Sequence, residues 1–198
     1  MIQRVGDWDK LNRLLTVPAL NKRLVVAGTI ATKRAGLLVV RNIRKKIREV
    51  TSPPNSPITI RRKGSSKPLQ DRGDLWQSVT FIPLAPMMGW VGVPAGKTNR
   101  ESGTSLALIA RVLEGGEIGA PPKDTIIIPR SAKALFIPLR RDVKPGEPNL
   151  VFGEDFILAK VVRIRPRPFI GPAVKESKKE VALIYQQAVA AAFNSFLK

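Results

Sequence analysis

From residue 19 to residue 50, Val26, Ile30, Leu37, Val40, Ile47 and Val50 recur at intervals of three, four or seven, and only Lys33 interrupts the stripe. That period predicts one long amphipathic helix, with Leu24, Ala27, Ala31 and Leu38 widening its apolar face. A helix of this length projects or bridges subunits. Ahead of it, Asp7 is a good N-cap for a short helix carrying Leu11, Leu14 and Leu15 and stopped by Pro18. Beyond residue 75 the period drops to two. Trp76, Ser78, Thr80 and Ile82 alternate with Gln77, Val79 and Phe81, and residues 87–93 resume after a proline-rich turn, which predicts a β-hairpin. Residues 106–113 read as a short helix closed by Gly115-Gly116. Residues 125–128, 135–139 and 156–164 are strand candidates separated by turns such as Lys144-Pro145-Gly146-Glu147-Pro148. In the closing segment Val174, Val181, Ile184, Ala188 and Ala191 share a stripe, flanked by Tyr185, Ala192 and Phe196. Its alanine-rich second half lets another helix approach closely, either the long N-terminal helix or a neighbouring subunit.

These elements predict a single α+β domain over residues 1–198, with an antiparallel β-sheet packed against a long N-terminal helix and a C-terminal helix. Residues 1–18 form an N-terminal extension, residues 173–198 the closing helix. Residues 51–70, with Pro53, Pro54 and Pro57 followed by Arg61, Arg62 and Lys63, are expected to be a mobile basic loop around a short strand at 58–60.

The segment Arg165-Pro166-Arg167-Pro168-Phe169-Ile170-Gly171-Pro172 leads into the last helix. Its prolines fix φ, remove backbone donors and extend the residues before them. Pro172 stands where a first helical turn tolerates it. Two readings follow: a stiff element presenting Phe169 and Ile170 for docking, or a loop that tucks Phe169 into the chain's own core.

A hydrophobic fraction of 43% supplies a real core. The longest charge-free stretch, residues 76–96, has a membrane-like length, but Pro83, Pro86, Pro94, Gly89, Gly92 and Gly96 break it into strands and turns. No membrane association is expected. Arg4, Asp7, Asp9 and Lys10 stand where a signal peptide needs its apolar centre. Cysteine and histidine are both absent. Their absence excludes disulfides, cysteine-ligated zinc, histidine-activated nucleophiles and imidazole acid–base work, leaving carboxylate, lysine or tyrosine chemistry. No cofactor is implied.

Thirty-four Lys and Arg against fifteen Asp and Glu give a formal net charge of +19, which attracts polyanions. Arg34, Arg41, Lys45 and Arg48 fall on one side of the long helix, and Arg44 and Lys46 broaden the patch. Arg41, Arg44, Lys45, Lys46, Arg48, Arg61, Arg62 and Lys63 are therefore the candidate contacts to a DNA backbone or an acidic partner. A solvated basic face serving solubility is the plainer alternative.

Other motifs have weaker claims. Gly92-Val93-Pro94-Ala95-Gly96-Lys97-Thr98 is one residue short of a phosphate loop and opens no convincing helix, so it reads as a polar hairpin end or loop. Arg72-Gly73-Asp74 reads as a turn. The near pairs Asp71/Asp74, Glu114/Glu117, Glu154/Asp155 and Glu176/Glu180 admit a metal-dependent nuclease, although Glu176-Ser177-Lys178 lies in a helix and lacks an upstream aspartate partner. Trp76, Phe81 and Trp90 sit in an uncharged stretch, which favours core packing over base stacking.

The order of these pieces resembles the tail-completion or neck proteins of tailed bacteriophages, the phage virion morphogenesis family. Arg72-Gly73-Asp74-Leu75-Trp76-Gln77-Ser78 is similar to that family's threonine-glycine-x-leucine-x-x-serine turn, with arginine at the threonine position. Leu108-Ile109-Ala110-Arg111-Val112-Leu113-Glu114-Gly115-Gly116 resembles its alanine-x-x-x-glutamate-x-glycine stretch, with Ile109 where a tyrosine is common. Arg167-Pro168-Phe169-Ile170-Gly171-Pro172-Ala173 resembles its arginine-proline-phenylalanine-leucine signature. The resemblance implies a non-enzymatic virion protein, assembled in the bacterial host cytoplasm, that forms a homo-oligomeric ring, expected to be a hexamer, at the head-to-tail joint. Its implied partners are the portal-adaptor (head completion) protein, the tail terminator or tail tube protein, and the backbone of genomic DNA. It also implies that Arg167, Pro168, Phe169 and Ile170, with Gly73, Leu75 and Trp76, are assembly or docking residues. A ribosome-associated type of nucleic-acid-binding module and a metal-dependent nuclease remain as alternatives.

Overall fold

The computed structural model describes residues 18–69, 72–117 and 120–196. The short helix expected from Asp7, and Asp71, lie outside them. The fold class is α+β, as the periodicities indicate. The chain falls into two compact units, each assembled from separated stretches of chain. Of the described residues, unit one holds 18–40, Phe81–Val91 and 176–196, and unit two those within Arg41–Thr80 and Gly92–Lys175.

Helix α1, Pro18–Glu49, and the closing helix, α5, Ile170–Phe196, each contribute to both units. In unit one, Leu20, Ala31 and Ala35 of α1 and Ala192 of α5 are buried. The hydroxyls of Thr32 and Tyr185 hydrogen-bond at 2.7 Å, and the Arg23 guanidinium donates to the Ser195 carbonyl. The alanine-rich half of α5 thus packs on the long helix. Strands β1, Thr80–Ala85, and β2, Met88–Gly92, form a hairpin whose turn places Met87 at φ 60°. Glycines make room for it: a Cβ on Gly28 would lie 2.7 Å from the Met87 Cε, and one on Gly36 or Gly89 would run into the Phe81 ring.

In unit two, Ile43 and Ile47 of α1, Val79 and Phe169 are fully buried. Helix α2, Pro57–Lys63, replaces the strand expected at 58–60. The Ser56 hydroxyl accepts from the Thr59 N–H at 3.2 Å, Pro57 takes the first helical position, and Gly64 closes the helix at φ 69°. A five-residue helix α3, Asp74–Ser78, stands where the alternating pattern predicted the first hairpin strand. Leu75, Ser78 and Val79 are all buried, a spacing that suits one helical face and not a strand, and the Ser78 hydroxyl bonds back to the Leu75 carbonyl at 2.6 Å. Helix α4, Leu106–Glu114, ends at Gly115 as expected.

The remaining strands are β3, Thr125–Ile127, β4, Leu135–Pro138, β5, Phe156–Ala159, and β6, Val162–Ile164. The expected continuous strand at 156–164 breaks at Lys160-Val161 and serves two antiparallel ladders. β3 pairs with β6, Thr125 opposite Ile164, and β4 pairs with β5, Leu135 opposite Ala159 and Pro138 opposite Phe156. With the hairpin, the described strands form three small two-stranded sheets.

Candidate functional site

Helix α4 buries Leu106, Ala110 and Leu113 at helical spacing, and its last residue, Glu114, is only 6% exposed. Glycine closure leaves that side chain aimed at the start of α5. One carboxylate oxygen of Glu114 accepts from the Phe169 and Ile170 N–H groups at 2.7 and 2.6 Å, and the other accepts from Gly171 at 3.2 Å. Pro172 has no N–H to satisfy. A single carboxylate thus caps the first turn of α5, where orphan donors and the helix dipole both favour negative charge.

The chain before the cap is held as firmly. The Arg167 N–H donates to the Leu113 carbonyl at 2.6 Å, and its guanidinium donates to the Pro53 and Pro54 carbonyls at 2.9 and 3.0 Å. Burial pulls the Arg167 pKa below its ordinary value, because desolvation disfavours the charge. Phe169 beside it has no exposed surface. Helix α3 packs against α4, so the three motif stretches at 72–78, 108–116 and 167–173 meet in unit two.

Of the residues expected to meet a neighbour, Phe169, Ile170 and Leu75 are buried, Arg167 and Pro168 are half-buried, and Gly73 occupies the N-cap of α3 at φ 82°. They form an internal frame, which agrees with the second reading of the proline segment. Trp76 is half-buried beneath basic side chains. The guanidinium carbon of Arg48 lies 4.9 Å, and that of Arg44 5.7 Å, from its ring centroid.

The expected basic contacts divide in the same way. Arg41, Lys45 and Arg48 are exposed and recur at helical spacing. Lys45 and Lys46 lie 3.6 and 3.9 Å from Glu49. Arg44 is half-buried and donates to the Val79 carbonyl at 2.9 Å, a positioning contact and not an outward one. Arg61 donates to the Glu154 carbonyl at 3.1 Å and Lys63 to the Lys67 carbonyl at 3.3 Å. Arg62 bonds Glu101 at 3.1 Å, and Arg141 and Arg72 approach the same carboxylate at 3.7 and 3.9 Å. Arg141 also donates to the carbonyls of Arg62 and Lys63, and Asn55 to those of Ser65 and Lys67. The segment expected to be a mobile loop is a capped helix tied at several points.

Glu101, Glu114 and Arg141 carry much of this architecture, yet composition and spacing singled out none of them for these contacts. Two further acidic groups are also engaged locally. Asp74, 8% exposed, accepts from the Arg100 N–H at 3.2 Å and lies 3.3 Å from its guanidinium, so the Arg72-Gly73-Asp74 turn faces inward at its carboxylate. Asp155 pairs with Arg140 at 2.7 Å and accepts from the Val151 N–H at 2.9 Å. Among the described residues no three acidic side chains converge to hold a metal ion. The Gly92 to Thr98 stretch leaves β2 for a loop in which Thr98 bridges Ser105, as expected for a polar hairpin end. No described helix is long and apolar enough to cross a membrane.

Comparison of the chain with protein-family models, curated proteins and solved structures found no match.

Proposed function

We propose that this chain is a structural subunit of a tailed-bacteriophage virion, a tail-completion or neck protein that forms a ring at the head-to-tail joint. The observation that carries the reading is the Glu114 cap. It joins the motif ending in Glu114-Gly115-Gly116 to the one beginning at Arg167-Pro168-Phe169, so two stretches that resemble the same family are halves of one junction. On this reading the frame orients both helices within the ring wall. Arg41, Lys45 and Arg48 offer charge to DNA phosphates without base contacts. The ring meets the portal adaptor on one side and the tail terminator or tube on the other.

Light scattering and negative-stain imaging of the full chain test the proposal. Closed rings are expected. A chain that stays monomeric at high micromolar concentration and binds DNA or RNA with a steep salt dependence is instead a free nucleic-acid-binding module.

A further inference from the structure

Unit one presents two complementary outward features. The first is the hairpin tip, where Leu84, Met87 and Met88 are 62%, 50% and 57% exposed. The tip lies within residues 76–96, which contain no Lys, Arg, Asp or Glu. Among the described residues, strands β1 and β2 pair with each other and with no further strand, so edge backbone groups are left for another partner. The second is a groove of about 510 Å³ between α1 and α5, with Val26, Ala27, Ile30 and three alanines, Ala188, Ala191 and Ala192, as its floor. Lys22, Arg23 and Arg34 form its rim.

We infer that the hairpin tip of one copy seats in the α1–α5 groove of the next. Charge selects the occupant. A basic rim on a chain of net charge +19 repels most of the surface of a second copy, and the uncharged hairpin is the element that enters without that penalty. Its strand carbonyls can accept from Lys22 and Arg34 of the rim, while Leu84 and Met88 meet the apolar floor, where a methionine adapts readily. An acidic amphipathic helix of another protein also suits the rim, but it leaves the tip uncovered; a second copy covers both features. Because tip and groove are different surfaces, the contact is heterologous, and repetition closes a ring or extends a filament. Closure into a ring, though not the contact itself, rests on the head-to-tail joint reading.

The absence of native cysteine permits a direct test in the full chain. Met88→Cys and Ala191→Cys variants, each carrying one thiol, are mixed and oxidised. A disulfide dimer that forms in the mixture and not in either variant alone is the expected result. Dimers of Met88→Cys alone indicate a symmetric tip-to-tip contact and overturn the inference. In parallel, Leu84→Lys/Met88→Lys should lower the light-scattering mass from that of the assembly to the 21.7 kDa of one chain, with the circular dichroism spectrum unchanged. A wild-type ring that survives those lysines and gives no mixed disulfide refutes the tip-in-groove contact and leaves the ring reading intact. A wild-type monomer that gives no mixed disulfide refutes both.

Discussion

Replacing Glu114 tests the junction most directly. Glu114→Ala removes the acceptor of three N–H groups; those of Phe169 and Ile170 lie at buried residues, whereas Gly171 is half-buried and reaches water more easily. A buried donor left without an acceptor costs about 1–3 kcal/mol. Release of the carboxylate from its desolvated site returns part of that, and loss of its favourable place at the helix N-terminus adds to it. The net loss is about 3–5 kcal/mol, a large share of the roughly 5–15 kcal/mol typical of a domain. Glu114→Gln keeps one carbonyl oxygen but loses the charge and turns an NH₂ group toward a donor, for a loss of about 1–3 kcal/mol. Urea unfolding followed by circular dichroism at fixed protein concentration measures both. With a slope near 2 kcal/mol/M, the alanine variant should unfold about 2 M earlier, with the slope itself unchanged. An alanine variant within about 1 kcal/mol of wild type, or a glutamine variant equal to it, means that the carboxylate does not hold the helix start.

Further outcomes follow from the same contacts. Gly36→Ala improves helix propensity but drives a methyl group into the Phe81 ring, so the melting temperature should fall, with an overpacking cost of about 1–3 kcal/mol; a rise would show that the hairpin does not lie on that glycine. Phe169→Ala empties a fully buried position and should cost about 3–5 kcal/mol in the same urea assay. The triple variant Arg41→Glu/Lys45→Glu/Arg48→Glu should weaken duplex DNA binding and flatten its log–log salt dependence by about 3, read by fluorescence anisotropy. An unchanged slope would place the phosphate contacts elsewhere.

The long helices were legible from their period, although the buried face of α1 follows the expected stripe only in part: Val40 and Ile47 are buried, whereas Val26, Ile30 and Leu37 are exposed. α1 runs Pro18–Glu49 against an expected 19–50, and α4 ends at the predicted glycines. Local conflicts hid the rest. The run Ile58-Thr59-Ile60 has β propensity, but Ser56, Pro57 and Gly64 supply a start and a stop, and capping prevails over side-chain preference. Around Trp76, alternation masked the helical triplet Leu75, Ser78 and Val79. Alternation also cannot say which strand a segment pairs with, so the break at Lys160-Val161 and the division into two units were invisible. The proline-locked Phe169 suited either a dock or a core anchor. Its inward placement depends on Glu114, far away in sequence and outwardly like any surface glutamate.

Salt separates the two surfaces, because each responds with opposite sign. Within unit two, Asp74, Glu101, Glu114 and Asp155 are engaged by groups of their own chain, and Arg41, Lys45 and Arg48 are exposed. Copies of net charge +19 therefore repel, and the proposed tip-in-groove contact supplies an uncharged element that does not add to this. Screening shortens the reach of the repulsion from about 10 Å at 0.1 M to about 3 Å at 1 M, so added sodium chloride should strengthen self-association. The proposed DNA binding must move the other way. Three phosphate contacts give a slope near −2.7, and a tenfold rise in salt weakens binding by about 500-fold. Light scattering and DNA anisotropy on one preparation, across a tenfold range of salt, read both trends. If the assembly instead dissociates over the range that releases DNA, ion pairs hold it together, and an uncharged hairpin cannot be the contact.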